Sequence, residues 1–131
     1  MKYIAVCDDD VDMLSTLKKV LKKSGFEVFT TQTEQDLYKL LENQKIDLVL
    51  IDYNLEPDDF EDHTKNGLEI ISEIREKFDD KCMKLVLTTS PNYAQLEDVK
   101  KAGGNEILFK PLFPLTKITD LLTKLSNESC D

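Results

Sequence analysis

Three aspartates follow two short apolar segments of the chain and could form one acidic site. Asp8 and Asp9 come directly after Tyr3–Cys7, and Asp52 comes directly after residues 48–51. Each segment is apolar and shows no helical period, as is typical of a buried parallel strand. In open α/β folds the carboxyl ends of such strands meet at one edge of the sheet, where ligands bind. We therefore expect the three carboxylates to lie close together.

A threonine and a lysine reach the same predicted edge by the same route. Thr88 follows the segment 84–87, and Lys110 follows the segment 107–109. The predicted site therefore combines an acidic cluster with one hydroxyl and one ammonium group.

The acidic cluster needs a cation, because two carboxylates about 4 Å apart repel by roughly 4 kcal/mol at an effective dielectric constant of about 20. Protons or a divalent ion can relieve this repulsion. All the candidate ligands are oxygen atoms, which favours Mg²⁺ held by one or two carboxylates, water and an incoming phosphate. An aspartate beside such an ion can attack a phosphoryl group and form an aspartyl phosphate. In a simpler interpretation Asp8, Asp9 and Asp10 only cap the next helix, but that leaves Asp52 unexplained.

Five strands alternate with five helices along the sequence. The predicted strands are residues 3–7, 26–30, 48–51, 84–87 and 107–109; the predicted helices start after Asp10, Thr33 and Pro114 and span 67–78 and 92–102. Leucine and isoleucine recur on one face of each helix, as expected of core-facing helices. Right-handed crossovers between consecutive strands then give an α/β fold, a five-stranded parallel sheet with helices on both faces.

The composition predicts one cytoplasmic domain. The chain has 131 residues and a formal net charge of −9, which argues against nucleic acid or an anionic membrane as a partner and favours a basic protein surface. Neither a signal peptide nor a membrane span is expected. The three cysteines are widely spaced and odd in number, which suits a reducing compartment and predicts neither a disulfide framework nor a zinc site.

These motifs resemble those of the receiver domains of two-component response regulators. The matching segments are residues 6–10 with the acidic pair, 48–52, 85–89, and the pair Lys110-Pro111. Five site positions match in order and at similar spacing, and the resemblance extends from Tyr3 to about Leu125. It implies a flavodoxin-like doubly wound fold with strand order 2-1-3-4-5. The receiver domain would span residues 1–125, with a short tail at 126–131 and no output domain.

The resemblance also implies the metal ligands and the phosphoacceptor. Asp52 would accept the phosphoryl group and would bind the metal together with Asp8, Asp9 and the backbone carbonyl of Asn54. Asp9 would be the direct ligand of the acidic pair, and Asp8 would act through water. The cofactor would be Mg²⁺, for which Mn²⁺ could substitute.

Further roles follow from the resemblance for the residues around the phosphoryl group. The Thr88 hydroxyl would contact a phosphoryl oxygen, and Lys110 would pair with the phosphoryl group as a point charge. Thr89 would be small enough to leave the site open. A cis bond before Pro111 is frequent in this family.

The function implied is that of a stand-alone receiver that switches protein–protein interactions. A sensor histidine kinase or a histidine phosphotransfer protein would supply the phosphoryl group to Asp52, and an unknown downstream protein would bind the face of the fourth helix, fifth strand and fifth helix. The domain would dephosphorylate itself slowly but would not turn over an external substrate. One alternative is a haloacid dehalogenase-type phosphohydrolase, which needs a general acid where Asn54 stands. Another is a degenerate receiver that serves as a scaffold, against which the intact site argues.

Two features depart from the usual receiver pattern. Receivers place a proline and then a glycine soon after the acceptor, but here the acidic residues 58–66 separate Pro57 from Gly67. This insertion is either a solvated loop or a flap that selects partners. The second departure is Ile107, three positions before Lys110, where the family commonly has Tyr or Phe. The switch pair would be Thr88 and Ile107, without the usual inward-turning ring.

Overall fold

A computed structural model describes residues 2–54, 65–112 and 114–128. The strands in these ranges are β1 (Tyr3–Cys7), β2 (Glu27–Thr31), β3 (Leu48–Asp52), β4 (Lys84–Thr89) and β5 (Glu106–Phe109). The helices are α1 (Val11–Lys23), α2 (Glu34–Asn43), α3 (Gly67–Lys77), α4 (Leu96–Ala102) and α5 (Leu115–Asn127). All strand pairs are parallel, and the sheet order is β2-β1-β3-β4-β5, so the predicted fold class and strand order are confirmed.

Side chains alternate along each strand between two apolar layers, one on each face of the sheet. One layer joins Ile4, Val6, Leu48, Leu50 and Val86 to Leu14, Leu17 and Leu21 of α1 and to Ile118, Leu122 and Leu125 of α5. The other joins Ala5, Cys7, Val49, Ile51, Leu85 and Leu87 to Leu37 of α2, to Ile70, Ile71 and Ile74 of α3 and to Val99 of α4. The predicted placement of helices on both faces is therefore confirmed.

Side-chain caps fix the starts of three helices. The Asp10 carboxylate accepts hydrogen bonds from the backbone N–H groups of Asp12 and Met13, so the simpler interpretation holds for Asp10, which caps α1, but not for Asp8 and Asp9, which lie in the cluster with Asp52. Thr33 caps α2 by accepting from the N–H of Asp36. The side chains of Asn66 and Glu69 form a reciprocal capping box at the start of α3. This box places the beginning of α3 directly after the long β3–α3 connection.

Several predicted boundaries differ from the structure. The fourth helix was predicted to begin at Asn92, but α4 begins at Leu96, because Pro91 opens a turn in which the N–H of Tyr93 donates to the Ser90 carbonyl. The fifth helix extends to Asn127, two residues into the predicted tail. The second strand is shifted by one residue, to Glu27–Thr31.

Three other expectations concern the chain as a whole. Cys7 is buried and free, but Cys82 is disulfide-bonded, so the expectation of no disulfide is wrong for Cys82. Cysteines that are far apart in sequence can still be close together in the folded chain.

In the described ranges no helix has the length and apolar character needed to cross a bilayer. The predicted insertion 58–66 lies outside the described residues except for Lys65 and Asn66; the Lys65 ammonium pairs with Glu34 of α2 at 2.9 Å.

Candidate functional site

Strand register places Asp52 beside Thr88 at the carboxyl edge of the sheet. The two residues are direct partners in the parallel pairing of β3 with β4. Both lie two positions beyond residues of the α1/α5 layer, Leu50 and Val86, so their side chains lie on that same face. Thr89 faces the other way, and its hydroxyl donates to the Ser90 carbonyl at 3.1 Å. The alternation along β4 is therefore the physical reason to choose Thr88 over Thr89.

The predicted acidic cluster is present at this edge. One carboxylate oxygen from each of Asp8, Asp9 and Asp52 lies within 4.8 Å of the other two. Asp8 is 2% exposed and Asp52 is 5% exposed, whereas Asp9 is half-buried. The Lys110 ammonium reaches into the cluster, 3.1 Å from Asp52 Oδ1 and 3.4 Å from Asp8 Oδ2. The structure thus brings together the residues that were predicted from the ends of β1, β3 and β5.

Burial makes the negative charges of this cluster costly. Burial raises the pKa of the Asp52 carboxyl, whereas the charge of Lys110 and the hydrogen bond from the N–H of Asn54 oppose this shift. It also raises the pKa of Asp8, where the N–H of Asp10 opposes the shift and the charge of Asp52 adds to it. Burial alone would lower the pKa of Lys110, but the charges of Asp52 and Asp8 outweigh it and raise that pKa. One ammonium therefore compensates only part of the charge of three carboxylates.

A divalent cation fits the donor set. Three carboxylates with oxygen atoms within 4.8 Å of one another match the all-oxygen coordination of Mg²⁺. The N–H of Asn54 donates to Asp52 Oδ1 at 3.4 Å, which keeps residue 54 beside the cluster. The assignment of its carbonyl as a ligand stays a prediction. The cation would relieve the repulsion that burial imposes on Asp8 and Asp52.

Gly67 lets α3 approach the end of β3. A Cβ atom at this position would lie 2.5 Å from Leu87 Cδ1, 2.8 Å from the Asp52 carbonyl oxygen and 2.9 Å from the Cα of Tyr53. The N–H of Gly67 also donates to the Tyr53 carbonyl at 2.9 Å. Two of the three close atoms belong to the backbone, which cannot rotate away. The start of α3 is therefore in direct contact with the backbone of the proposed phosphoacceptor.

Gly67→Ala is expected to lower the free energy of unfolding by about 1–3 kcal/mol, because the added methyl group overpacks this contact. Urea denaturation measures the loss. Gly25→Ala is the comparison, since no atom lies within 4 Å of a Cβ there and only the left-handed backbone, with φ of +97°, opposes the change. A Gly67→Ala protein as stable as the wild type would show that α3 can shift at no cost.

Other features of the site were predicted in part or not at all. The bond before Pro111 is cis, as the resemblance implied. Ile107 is half-buried and packs in the α2/α3/α4 layer, and its switch role stays a prediction. Sequence reasoning missed the stacked rings of Tyr53 and Tyr93, whose centroids are 5.4 Å apart at an interplanar angle of 8°. No local pattern links two residues so far apart in sequence.

Comparisons with known proteins agree with this geometry. The family model "Response regulator receiver domain" matches residues 4–123. Chemotaxis protein CheY of Thermotoga maritima is 27% identical over 126 residues, which cover 95% of this chain and 98% of that protein. Aerobic respiration control protein ArcA of Escherichia coli K12 is 27% identical over 112 residues, covering 86% of this chain but 43% of ArcA. The chain thus spans less than half the length of ArcA.

A solved structure of the response regulator TrrA from Thermotoga maritima, in complex with Mg(2+)-BeF, superposes with a TM-score of 0.78 and 27% identity, over 95% of this chain and 99% of TrrA. Receiver domains of this kind bind Mg²⁺ and exchange signals with histidine kinases or phosphotransfer proteins and with downstream targets. The phosphohydrolase and scaffold alternatives are not favoured by these matches. From its family match, its sheet order and its acidic edge, the chain belongs to the receiver domains of two-component response regulators.

Proposed function

We propose that Asp52 accepts a phosphoryl group from a phosphohistidine donor, either a sensor histidine kinase or a histidine phosphotransfer protein. The observation that carries this proposal is the Lys110 ammonium, 3.1 Å from Asp52 and 3.4 Å from Asp8 in a buried acidic cluster. A lysine in this place supplies the positive charge that a transferred phosphoryl group needs. The site is at the carboxyl edge of a parallel sheet, where α/β folds bind ligands.

The chemical step begins at a carboxylate oxygen of Asp52. The Lys110 ammonium and the N–H of Asn54 both contact Oδ1, which favours Oδ2 as the attacking oxygen in this proposal. A P–O bond forms as the P–N bond to the donor imidazole breaks, and the imidazole nitrogen takes the electron pair of that bond. Lys110 then turns from the carboxylate to a phosphoryl oxygen. The Thr88 hydroxyl, which lies beside Asp52 through the pairing of β3 with β4, donates to another phosphoryl oxygen.

In this proposal Asp8, Asp9, Asp52 and the carbonyl of Asn54 would hold Mg²⁺, for which Mn²⁺ could substitute. When bound, the cation would neutralise the negative charge of the carboxylates and of the phosphoryl oxygens. The half-buried Asp9 would be the direct ligand of the acidic pair, and the buried Asp8 would act through water. The domain dephosphorylates itself but turns over no external substrate.

The output surface proposed is the face of α4, β5 and α5. Large apolar side chains are exposed there or next to it: Tyr93 is 57% exposed, Leu96 38% and Phe109 41%. These exposed apolar side chains support the proposal that another protein binds this face. Thr88 and Ile107 are the switch pair that shifts this face, with Ile107 acting through packing because its side chain is β-branched and stiff.

The setting proposed is the cytoplasm, where phosphohistidine donors of this type act, with residues 1–125 as the receiver unit. The net charge of −9 favours a basic protein surface as partner and disfavours direct contact with nucleic acid or an anionic membrane. The downstream protein is therefore characterised only by its basic binding surface.

Incubation with acetyl phosphate and Mg²⁺ is the test of the acceptor. We expect one covalent adduct of phosphoryl mass in the intact-mass spectrum, mapped by peptide analysis to Asp52 and absent when EDTA removes the metal. Two adducts, or one that forms equally well in EDTA, would contradict the proposal.

A further inference from the structure

Arg75 is the only arginine of the chain, although the chain has 17 lysine and arginine residues in all. It lies near the end of α3 and is half-buried. Its guanidinium group donates three hydrogen bonds: Nε to the Gly103 carbonyl at 2.7 Å, one terminal nitrogen to the Asp80 carbonyl at 3.2 Å, and the other to Asn105 Oδ1 at 3.0 Å. Arg75 thus connects α3 to the loop between α4 and β5.

The acceptors of Arg75 are neutral, and no carboxylate lies within 4.0 Å of its guanidinium among the described residues. Burial lowers the pKa of Arg75, and the charge of Asp80 opposes this shift only in part. The residue is therefore not placed for an ion pair. The planar fork of arginine reaches several acceptors at fixed angles, whereas a lysine ammonium is a single point. The geometry thus explains why an arginine stands here in a chain that otherwise uses lysine.

The contacts of α3 converge on the C-terminal end of α4. The Ser72 hydroxyl donates to the Ala102 carbonyl at 3.3 Å, one residue before the carbonyl that Arg75 holds. These are carbonyls at a helix end, which have no partner within their own helix. Gly103 has φ of +100°, and a Cβ there would lie 2.8 Å from Arg75 Cγ, so the side chain packs directly on the glycine. The end of α4 is therefore held by side chains of α3.

Asn105 extends this contact into the sheet. Its Oδ1 accepts from Arg75 and also from the N–H of Leu85 at 2.8 Å, and its own N–H donates to the Leu85 carbonyl at 2.7 Å. At its other end α3 touches the site, because the N–H of Gly67 donates to the Tyr53 carbonyl next to Asp52. One rigid helix therefore contacts both the backbone beside the proposed phosphoacceptor and the end of α4.

We propose that Arg75, assisted by Ser72, is a positioning residue that fixes the C-terminal end of α4 to α3, so that a change at Asp52 reaches α4 through α3 as well as through β4 and β5. This inference rests on the proposed function, because it needs a change at Asp52 to transmit. Contiguous hydrogen bonds and a rigid helix are the kind of connection that carries such coupling.

Amide hydrogen exchange of the unmodified protein tests the positioning role by itself. Arg75→Lys keeps the charge but loses the fork, so exchange at residues 99–106 should become about ten-fold faster than in the wild type, beyond any change in the central strands. Asn105→Asp keeps the acceptor oxygen and adds a charge for Arg75, so exchange there should slow by about three-fold. Glu76→Gln, a substitution at an exposed position on the same helix, should leave the exchange rates of residues 99–106 unchanged. Uniform acceleration across all elements in Arg75→Lys, or no effect of Asn105→Asp, would overturn the role.

Beryllofluoride with Mg²⁺ tests the transmission. In the wild type we expect beryllofluoride to change the amide chemical shifts near Asp52 and Thr88 and also along residues 96–106. In the Arg75→Lys and Ser72→Ala proteins the changes near Asp52 and Thr88 should remain, whereas those along residues 96–106 should fall by at least about half. In the Glu76→Gln protein both sets of changes should remain. Unchanged shifts along 96–106 in both variants would overturn the inference while leaving the proposed function intact. No shift near Asp52 in the wild type would instead contradict the proposed function, and the transmission with it.

Discussion

Asp52→Asn is expected to abolish the phosphoryl adduct formed with acetyl phosphate and Mg²⁺, a loss of more than about 100-fold in yield, because an amide is not a nucleophile toward phosphorus at neutral pH. Intact-mass spectrometry over a time course measures it. Asp79→Asn is the matched control: it is an exposed aspartate in the connection before β4, at the opposite edge of the sheet. An adduct of wild-type yield on the Asp52→Asn protein would place the acceptor on another residue.

The same substitution should raise the stability of the metal-free protein near pH 7. A carboxyl whose pKa is raised by folding stabilises the native state below its unfolded pKa, and that contribution is lost as pH rises through the folded pKa. The wild type therefore carries the cost of a buried, ionised Asp52 at neutral pH, whereas Asn carries no charge. Lys110 keeps a carboxylate partner, Asp8 at 3.4 Å. The gain in the free energy of unfolding should shrink as pH falls, and urea denaturation at pH 7 and pH 4 measures this change. An Asp52→Asn protein less stable than the wild type at pH 7 would contradict the prediction.

The positions of the site residues could be predicted because strand ends are visible in sequence. The apolar segment before Asp52 marks β3, and parallel strands deliver their carboxyl ends to one edge without further information. The family resemblance places Thr88 at the phosphoryl group, and the register of β3 with β4, which pairs Asp52 with Thr88, supplies the physical reason. Register follows from contacts across the sheet and is absent from any single segment.

The remaining differences come from interactions between residues distant in sequence. The late start of α4 at Leu96 reflects the turn that Pro91 opens, which a helical apolar pattern does not reveal. The stack of Tyr53 on Tyr93 and the bonds of Arg75 to the loop after α4 join segments that only the fold brings together. A single arginine in a lysine-rich chain was the one sequence signal for the latter contact.

Mg²⁺ is expected to stabilise the protein strongly, because it would relieve the repulsion among the clustered carboxylates of Asp8, Asp9 and Asp52. At a free concentration 100 times the dissociation constant, the gain would be about 2.7 kcal/mol, which corresponds to a rise of roughly 10 °C in the melting temperature. Asp9→Asn should remove most of this rise, because a neutral amide replaces the carboxylate proposed as the direct ligand. Thermal melts monitored by circular dichroism, with and without millimolar Mg²⁺, measure both effects.

Asp10→Asn separates a metal effect from a general loss of negative charge. Asp10 is the next residue in the chain and an exposed N-cap of α1, and asparagine caps a helix about as well as aspartate, so its structural role is kept. Asp10 does not belong to the cluster of Asp8, Asp9 and Asp52, and its substitution should leave the Mg²⁺ response unchanged. If Asp9→Asn and Asp10→Asn reduced the response equally, Mg²⁺ would be acting by screening the acidic surface. If neither protein nor the wild type responded, the cluster would be relieved by protons instead, as the raised pKa values of Asp8 and Asp52 allow.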